Sequence, residues 1–253
     1  MKVLITGGGG YVGQSLAQAL QHEYAVTSAT RKDFTLTDYK STETYLIANE
    51  FDVVIHCAVQ GGNRLKTDTW RDMDNNLLMY YNLLQCKHLF GKLIHFGSGA
   101  QALETPYGLS KRIIANSISE VDGFYDLKVF AVFSERELDT RFIKSNVVNY
   151  INRQPIVIHQ DKFMDFFYID DLISLVKLYL QRNDLPKSVD CSYSSLHKLS
   201  DIANLINQLS DYRVDVVVNQ KGLAAPYYGI ANNLTQFVGL EQGIANVYKK
   251  LKQ

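Results

Sequence analysis

Met1–Gly13 reads MKVLITGGGGYVG. Val3, Leu4 and Ile5 form a short apolar run of the kind that a parallel sheet buries on both faces. Thr6 closes the run, Gly7, Gly10 and Gly13 follow at the spacing GxxGxxG, and Val12, Leu16, Ala19 and Leu20 then set out the apolar face of a helix. A strand, a glycine turn and a helix in that order make the first half of a βαβ unit that binds a dinucleotide. Gly7 allows the tight turn, Gly10 lets backbone N–H groups approach a pyrophosphate, and Gly13 lets helix and strand pack closely. Tyr11 and Val12, in the same turn, join them as candidate cofactor contacts. A glycine-rich hairpin is the bland alternative for a lone pattern of this kind; the position directly between strand and helix favours the nucleotide turn.

The chain has 253 residues, enough for one large domain with a modest lobe and a substantial core. Its 26 basic and 26 acidic residues cancel, so no overall field draws it to nucleic acid or to a membrane surface. Cys57, Cys86 and Cys191 are widely separated and match no metal-binding spacing, so buried reduced thiols and no metal are expected. Neither an apolar run of membrane length nor a signal peptide is read, and a soluble cytoplasmic protein is the expectation.

After the first helix, Tyr24–Ala29 predicts a second strand, followed by Thr30, Arg31 and Lys32 where NAD-selective folds place an acid for the ribose 2′-hydroxyl. Two cations there suit a 2′-phosphate and favour NADP(H) over NAD(H). A solvated loop charge is the alternative, and the neighbouring Asp33 keeps a ribose contact open. Residues 38–49 predict a short helix capped by Asp38 or Thr37. Phe51–His56 predicts the third strand, leaving the sheet through Cys57, Ala58 and Val59, small enough to let a cofactor cross its carboxyl edge. His56 reads as a buried strand residue rather than an acid or base.

A long helix over 72–90 carries Asn76 and Asn82 within an apolar segment. The segment is apolar on more than one face, which favours a homodimer through this helix and 107–120; a wholly internal helix explains the same pattern. Lys92–Phe96 predicts the fourth strand, with Gly97, Ser98 and Gly99 as its exit, and PYGLSKRIIANSI follows with Pro106 suited to a first helical turn. Tyr107 and Lys111 stand four apart and share one face of that helix. A carbonyl reduced by hydride needs a proton at its oxygen, and a phenol of ordinary pKa about 10 supplies one at neutral pH only if a nearby cation favours its phenolate. Lys111 provides that cation while also binding the nicotinamide ribose, so that Tyr107 and Lys111 count as cofactor contacts too, and Ser98 gives a hydrogen bond to the substrate oxygen. A lone Y-x-x-x-K string is common in amphipathic helices; its conjunction with the glycine motif, with a serine between, is not.

TGGGGYVG, the Gly-Ser at 97–98, Tyr107-Gly-Leu-Ser-Lys111 and DFFYIDDL over 165–172 together resemble the extended short-chain dehydrogenase/reductases that act on nucleotide sugars. The resemblance covers almost the whole chain and implies an α/β fold, a Rossmann doubly wound parallel sheet with a small C-terminal substrate-binding lobe. The expected division is 1–133 with 166–192 for the dinucleotide domain and 134–165 with 193–253 for the lobe. TRKDFTLTD over 30–38 further resembles the GDP-fucose synthase group, which uses NADPH; this implies Arg31 on the 2′-phosphate and Leu36 beside the adenine, with Tyr107 and Lys111 as acid/base pair. The 4,6-dehydratases carry Asp-Glu directly after the catalytic Ser or Thr, where this chain has Gly99 and Ala100. The fucose synthase group places an epimerising cysteine where Ala100 stands. Simple 4-keto reduction of a nucleotide-diphosphate sugar, as in the dTDP-4-dehydrorhamnose reductase type, needs neither group. Ser98, Gly99, Phe133 and Arg141 are the candidate substrate contacts; for Arg141, a diphosphate clamp stands against an ordinary surface arginine. A 4-epimerase with retained NAD and a non-catalytic dinucleotide-binding relative are the competing readings. The loop between Ser98 and Tyr107 is short for this family, Ala131–Glu135 replaces Asn-x-Tyr-Gly-Pro, and Met164 stands where an arginine is usual. DFFYIDD is expected to be structural rather than catalytic.

Overall fold

The computed structural model describes residues 1–62 and 66–253. Two units emerge, one of residues 1–128 with 176–189 and one of 129–175 with 190–253.

In the first unit the chain runs β1 (Lys2–Thr6), α1 (Tyr11–Leu20), β2 (Ala25–Ala29), α2 (Tyr39–Asn49), β3 (Val53–His56), α3 (Trp70–Gln85), β4 (Lys92–Ser98), α4 (Pro106–Ser119) and β5 (Phe124–Val129). With β9 (Ser188–Asp190) the strands form a six-stranded sheet in the order β2-β1-β3-β4-β5-β9. β1 pairs in parallel with both β2 and β3, and β3 with β4. Because the chain leaves β1 toward one neighbour and returns on its other side, the carboxyl ends of β1 and β3 diverge into the crevice where open α/β sheets bind ligands.

Strand parity organises the core. Leu4, Val54 and Leu93 are aligned across β1, β3 and β4, and they are buried in one cluster with Tyr80 and Leu83 of α3 and Ile114 and Ile118 of α4. The helices start where short polar residues cap them: the Asp38 carboxylate accepts from Ser41 N at 2.6 Å, and the Thr105 hydroxyl from Gly108 N at 3.1 Å ahead of Pro106. The third helix begins earlier than its apolar pattern suggests. Thr69 and Asp72 form a reciprocal capping box, with Thr69 N donating to Asp72 at 2.8 Å.

The second unit contains β6 (Val132–Phe133), α5 (Phe142–Ile151), β7 (Ile156–Asp161), β8 (Phe167–Tyr168), α6 (Ile169–Gln181, which crosses into the first unit), α7 (Leu199–Ile206), β10 (Val216–Leu223) and α8 (Leu240–Leu251). β6 pairs with β8, and β7 with β10. This corrects the expected boundary. The apolar run 127–133 is not one strand: Ala131 O accepts from Phe167 N at 2.7 Å, so its end belongs to the second unit, which begins at 129 and also takes residues 166–175.

The DFFYIDD segment is a brace within that unit. Asp165, buried, accepts from Ser192 Oγ at 2.5 Å and Gly229 N at 2.8 Å. Asp171, also buried, accepts from the Tyr193 hydroxyl, from Val238 N at 2.6 Å and from Gly239 N at 3.0 Å, fixing the approach to α8. Asp171→Ala leaves these donors buried without their acceptor, and a loss of about 2–4 kcal/mol in unfolding free energy is expected in a denaturant titration; a loss below 0.5 kcal/mol, the ordinary surface range, would contradict the bracing role.

Candidate active site

The glycine loop closes onto the exit of β3. Gly7 has φ +68°, and a Cβ there would lie 2.6 Å from Ala58 N; a Cβ on Gly13 would lie 2.6 Å from Gly7 O. Only glycine meets both requirements, so Gly7 and Gly13 are fixed by packing. Gly10 serves differently. It begins α1 with no side-chain cap, and no acidic residue occupies the first turn, whereas α2, α3 and α4 are each capped by a side chain. The helix dipole favours an anion at this end, and no side chain of the first turn opposes one.

A cavity of about 510 Å³ opens in front of this loop, a volume suited to a small-molecule cofactor. Of the candidate cofactor residues, Gly7, Gly10, Arg31, Leu36, Cys57, Ala58 and Val59 line it, joined by Phe34, Gln60 and Met79. The other cofactor candidates, Tyr11, Val12, Gly13, Lys32, Asn76, Tyr107 and Lys111, lie outside that lining. Asn76 acts one step back, its amide donating to Gln60 O at 2.9 Å and accepting from Gln60 N at 2.8 Å. Asn82, on the same helix, donates to Leu36 O at 2.7 Å. Asn76 and Asn82, two of the three asparagines on this helix, are thus buried and satisfied, each holding one wall of the cavity. At the exit of β2, Asp33 accepts from Thr30 N at 2.8 Å and Thr30 Oγ1 at 3.0 Å. These bonds hold its carboxyl below the usual range and commit it to the turn that carries Arg31.

Ser98 ends β4, nearly buried, its Oγ accepting from Ala100 N at 3.1 Å, and Gly99 opens the short turn that follows. Tyr107 and Lys111 lie on α4. The Tyr107 ring packs against Gly62, where a Cβ would come within 2.7 Å of Cζ; Gly62 has φ +68° and donates its N–H to Asp68 at 2.7 Å. The Lys111 ammonium lies 5.8 Å from the centre of that ring. It donates to Phe96 O at 2.5 Å and sits 3.3 Å from His95 Nε2. An ammonium only donates, so His95 Nε2 is the acceptor there. Burial brings Lys111 down to about 8, against a rise imposed by Asp126 and Cys57.

His56 and His95 form a polar row with Thr6 across β1, β3 and β4, one pleat beyond the apolar row. Thr6 Oγ1 and His56 Nδ1 are 2.8 Å apart, and the two imidazoles lie 5.4 Å apart. Burial, with Lys111 nearby, drives His56 to about 3 and His95 well below its ordinary value, so both rings are neutral. His56 is the buried strand residue its pattern suggests. His95 touches the lysine and was not among the candidates; its place two residues before the strand exit, on the inward face, was the available signal.

Two substrate candidates lie in the second unit. Phe133 is fully buried, its ring 5.4 Å from that of Tyr168 and close against Gly243, so its side chain belongs to the core. Arg141 is exposed just ahead of α5. Near it Glu137 is buried and pushed up to about 8, a shift opposed by Lys144 N–H, Arg141 and Lys144. No group of metal-ligating side chains occurs among the described residues, and no helix there is long and apolar enough to cross a membrane.

A glycine loop ahead of a helix at the switch point of a parallel sheet, whose fourth strand and following helix carry Ser98, Tyr107 and Lys111, is an arrangement able to hold a dinucleotide near an acid–base set. The model of the NAD dependent epimerase/dehydratase family matches residues 3–191, and the chain belongs to that family. No curated protein matches the sequence. Among solved structures the fold is similar to GDP-mannoheptose C4 reductase from Campylobacter jejuni with NADP bound (TM-score 0.82, 14% identity, 100% of this chain and 98% of that one). It is also similar to dTDP-4-dehydrorhamnose reductase from Bacillus anthracis in complex with NADP (0.80, 18%, 98% of each) and to UDP-glucose 4-epimerase from Thermus thermophilus with NAD (0.76, 18%, 98% of each).

Proposed function

We propose that this chain reduces a 4-keto nucleotide-activated sugar with NADPH. The carrying observation is the buried Lys111 ammonium 5.8 Å from the Tyr107 ring centre, on the helix that follows the Ser98 strand end. Bound NADPH would supply hydride to the carbonyl carbon. Tyr107 gives its phenolic proton to the carbonyl oxygen as negative charge develops, Lys111 stabilises the phenolate left behind, and Ser98 orients that oxygen. Water then returns the proton to Tyr107. Gly99 and Ala100 contribute no side-chain acid or base. That suits reduction better than the elimination of the 4,6-dehydratases, or the carbon epimerisation of the fucose synthase group.

On the cofactor side, the α1 N-terminus is suited to the pyrophosphate, Leu36 to the adenine, and Cys57, Ala58 and Val59 to the path along the sheet edge. Arg31 in the cavity wall, with Asp33 turned back onto Thr30, supports a 2′-phosphate and hence NADP(H); Lys32 is exposed beside it. Gly99 and the exposed Arg141 remain the proposed substrate contacts. The cytoplasm suits thiols that form no disulfide among the described residues. Trp70, Leu78 and Tyr81 are exposed on α3, which supports a homodimer through that helix and α4.

The fold's likeness to a 4-epimerase with NAD keeps a second reading in view, since oxidation followed by re-reduction uses the same three residues. Tyr107→Phe is expected to lower kcat with a 4-keto sugar nucleotide by about 10²–10⁴-fold while NADPH binding is retained; an unimpaired variant would end this mechanism. One NADPH consumed per ketone marks the reductase, whereas NAD that survives purification and needs no replenishment marks the epimerase. Arg31→Ala is expected to weaken NADPH binding by about 10–100-fold, the loss of one charged hydrogen-bond partner, with NADH little changed; equal effects on both would remove Arg31 from the 2′-phosphate. Tyr81→Glu is expected to convert a dimer to a monomer in sedimentation velocity, and a monomeric parent would dispose of the dimer.

A further inference from the structure

The proposed chemistry needs Lys111 as a cation, yet its surroundings oppose charge. Lys111 is 4% exposed, and the partners of its ammonium described so far, Phe96 O and His95, are neutral. A lysine desolvated this far loses its proton unless an anion is near.

Asp126 is the carboxylate whose charge acts on it. It lies on β5, next to β4 in the sheet, and is fully buried. A Cβ on Gly97 would lie 2.5 and 2.6 Å from the two Asp126 carboxylate oxygens, so the carboxylate fills the space that any other residue at 97 would occupy. Gly97 follows Phe96, whose carbonyl accepts a hydrogen bond from Lys111 at 2.5 Å, and shares a face of β4 with His95, whose Nε2 lies 3.3 Å from the same nitrogen. Carboxylate and ammonium therefore occupy one side of the sheet around one tripeptide.

We propose that Asp126 is the buried counter-ion of Lys111 and that Gly97 is the gap in β4 that admits it. Asp126 is a positioning residue: it reaches the reaction only through the lysine that serves Tyr107, so the inference deepens the reading above. The largest influence raising Lys111 against its burial comes from Asp126, followed by Cys57. The other titratable groups around the pair are His56 on β3, His95 on β4, Tyr80 on α3 and Tyr107 on α4. The histidines are neutral, and Tyr80 is raised by burial and held in its phenol form, donating to Ser117 Oγ at 2.9 Å. Among these groups Asp126 is the strongest candidate for the balancing negative charge. Without it Lys111 becomes neutral at lower pH and the Tyr107 phenol loses its stabilising cation.

The test reads Lys111 directly, in nucleotide-free protein, from the pH dependence of its ¹³Cε signal, assigned by its loss in Lys111→Met. The parent is expected to titrate near pH 8, and Asp126→Asn to do so about one to three units lower, with the far-ultraviolet circular dichroism unchanged. An unmoved midpoint in folded Asp126→Asn overturns the proposal. Should that variant not fold, the Asp126 ¹³Cγ signal decides: a carboxylate at pH 7 in the parent that becomes a carboxylic acid in Lys111→Met supports the pair, and a protonated Asp126 in the parent overturns it. These readouts involve neither cofactor nor substrate, so an inactive parent would count against the proposed reaction and leave the ion pair to its own result.

Discussion

Side-chain alternation across three parallel strands is the constraint from which the site follows. In register, β1, β3 and β4 present Leu4, Val54 and Leu93 to the helices on that face, and one pleat later Thr6, His56 and His95. The first row anchors α3 and α4 by apolar burial. The second is equally dry, so its hydrogen bonds tie it to its neighbours strongly. Thr6 meets His56, and His95 meets Lys111, so the polar row begins under the glycine loop and ends under the Tyr107 helix. A slip of one residue in β4 would turn His95 and Gly97 to the opposite face and remove the lysine's surroundings.

The cavity walls depend on α3 in the same way. Leu36 lies beyond β2 and Gln60 beyond β3, both outside regular strands whose ladders would hold them. Asn82 and Asn76, six positions apart on one helix, take the Leu36 carbonyl at 2.7 Å and the Gln60 carbonyl at 2.9 Å. Packing of α3 on the sheet is thereby converted into a fixed width for the cavity mouth. Asparagine suits the task because one amide both donates and accepts, as Asn76 does with Gln60.

What could be read from the sequence was local. The glycine turn, the Asp38 cap, Pro106 at a helix start and the Tyr107–Lys111 spacing each depend on residues within a turn or two of each other. The long run Leu127–Phe133 reads as one strand because hydrophobicity does not report the pairing partner, and Phe167 captures its end. Phe133 was placed at the substrate by resemblance and proves to be core packing, a distinction that lies in what surrounds the ring. His95 and Asp126 escaped notice because their importance comes from cross-strand neighbours separated from Lys111 by 16 and 15 positions. The interior asparagines were visible as anomalies in an apolar helix, but only the fold reveals their acceptors.

The polar row also carries a cost that explains why it is confined to the carboxyl edge. Lys111 binds its proton less tightly in the native protein, at about 8, than at the ordinary lysine value of 10.5. The native state therefore bears a penalty on the order of 3 kcal/mol, present in full below pH 8 and relieved as pH rises toward 10.5. An apolar residue at 111 would avoid it, as the replacement of buried ionic groups by hydrophobic ones often does. In the proposed reaction the burial serves the chemistry instead. A cation in a site of low polarity acts on a nearby phenolate far more strongly than one in water, and His95 and Phe96 O fix its position by hydrogen bonds. Stability surrendered at one lysine is offset by the apolar row one pleat below, where Leu4, Val54 and Leu93 are wholly buried.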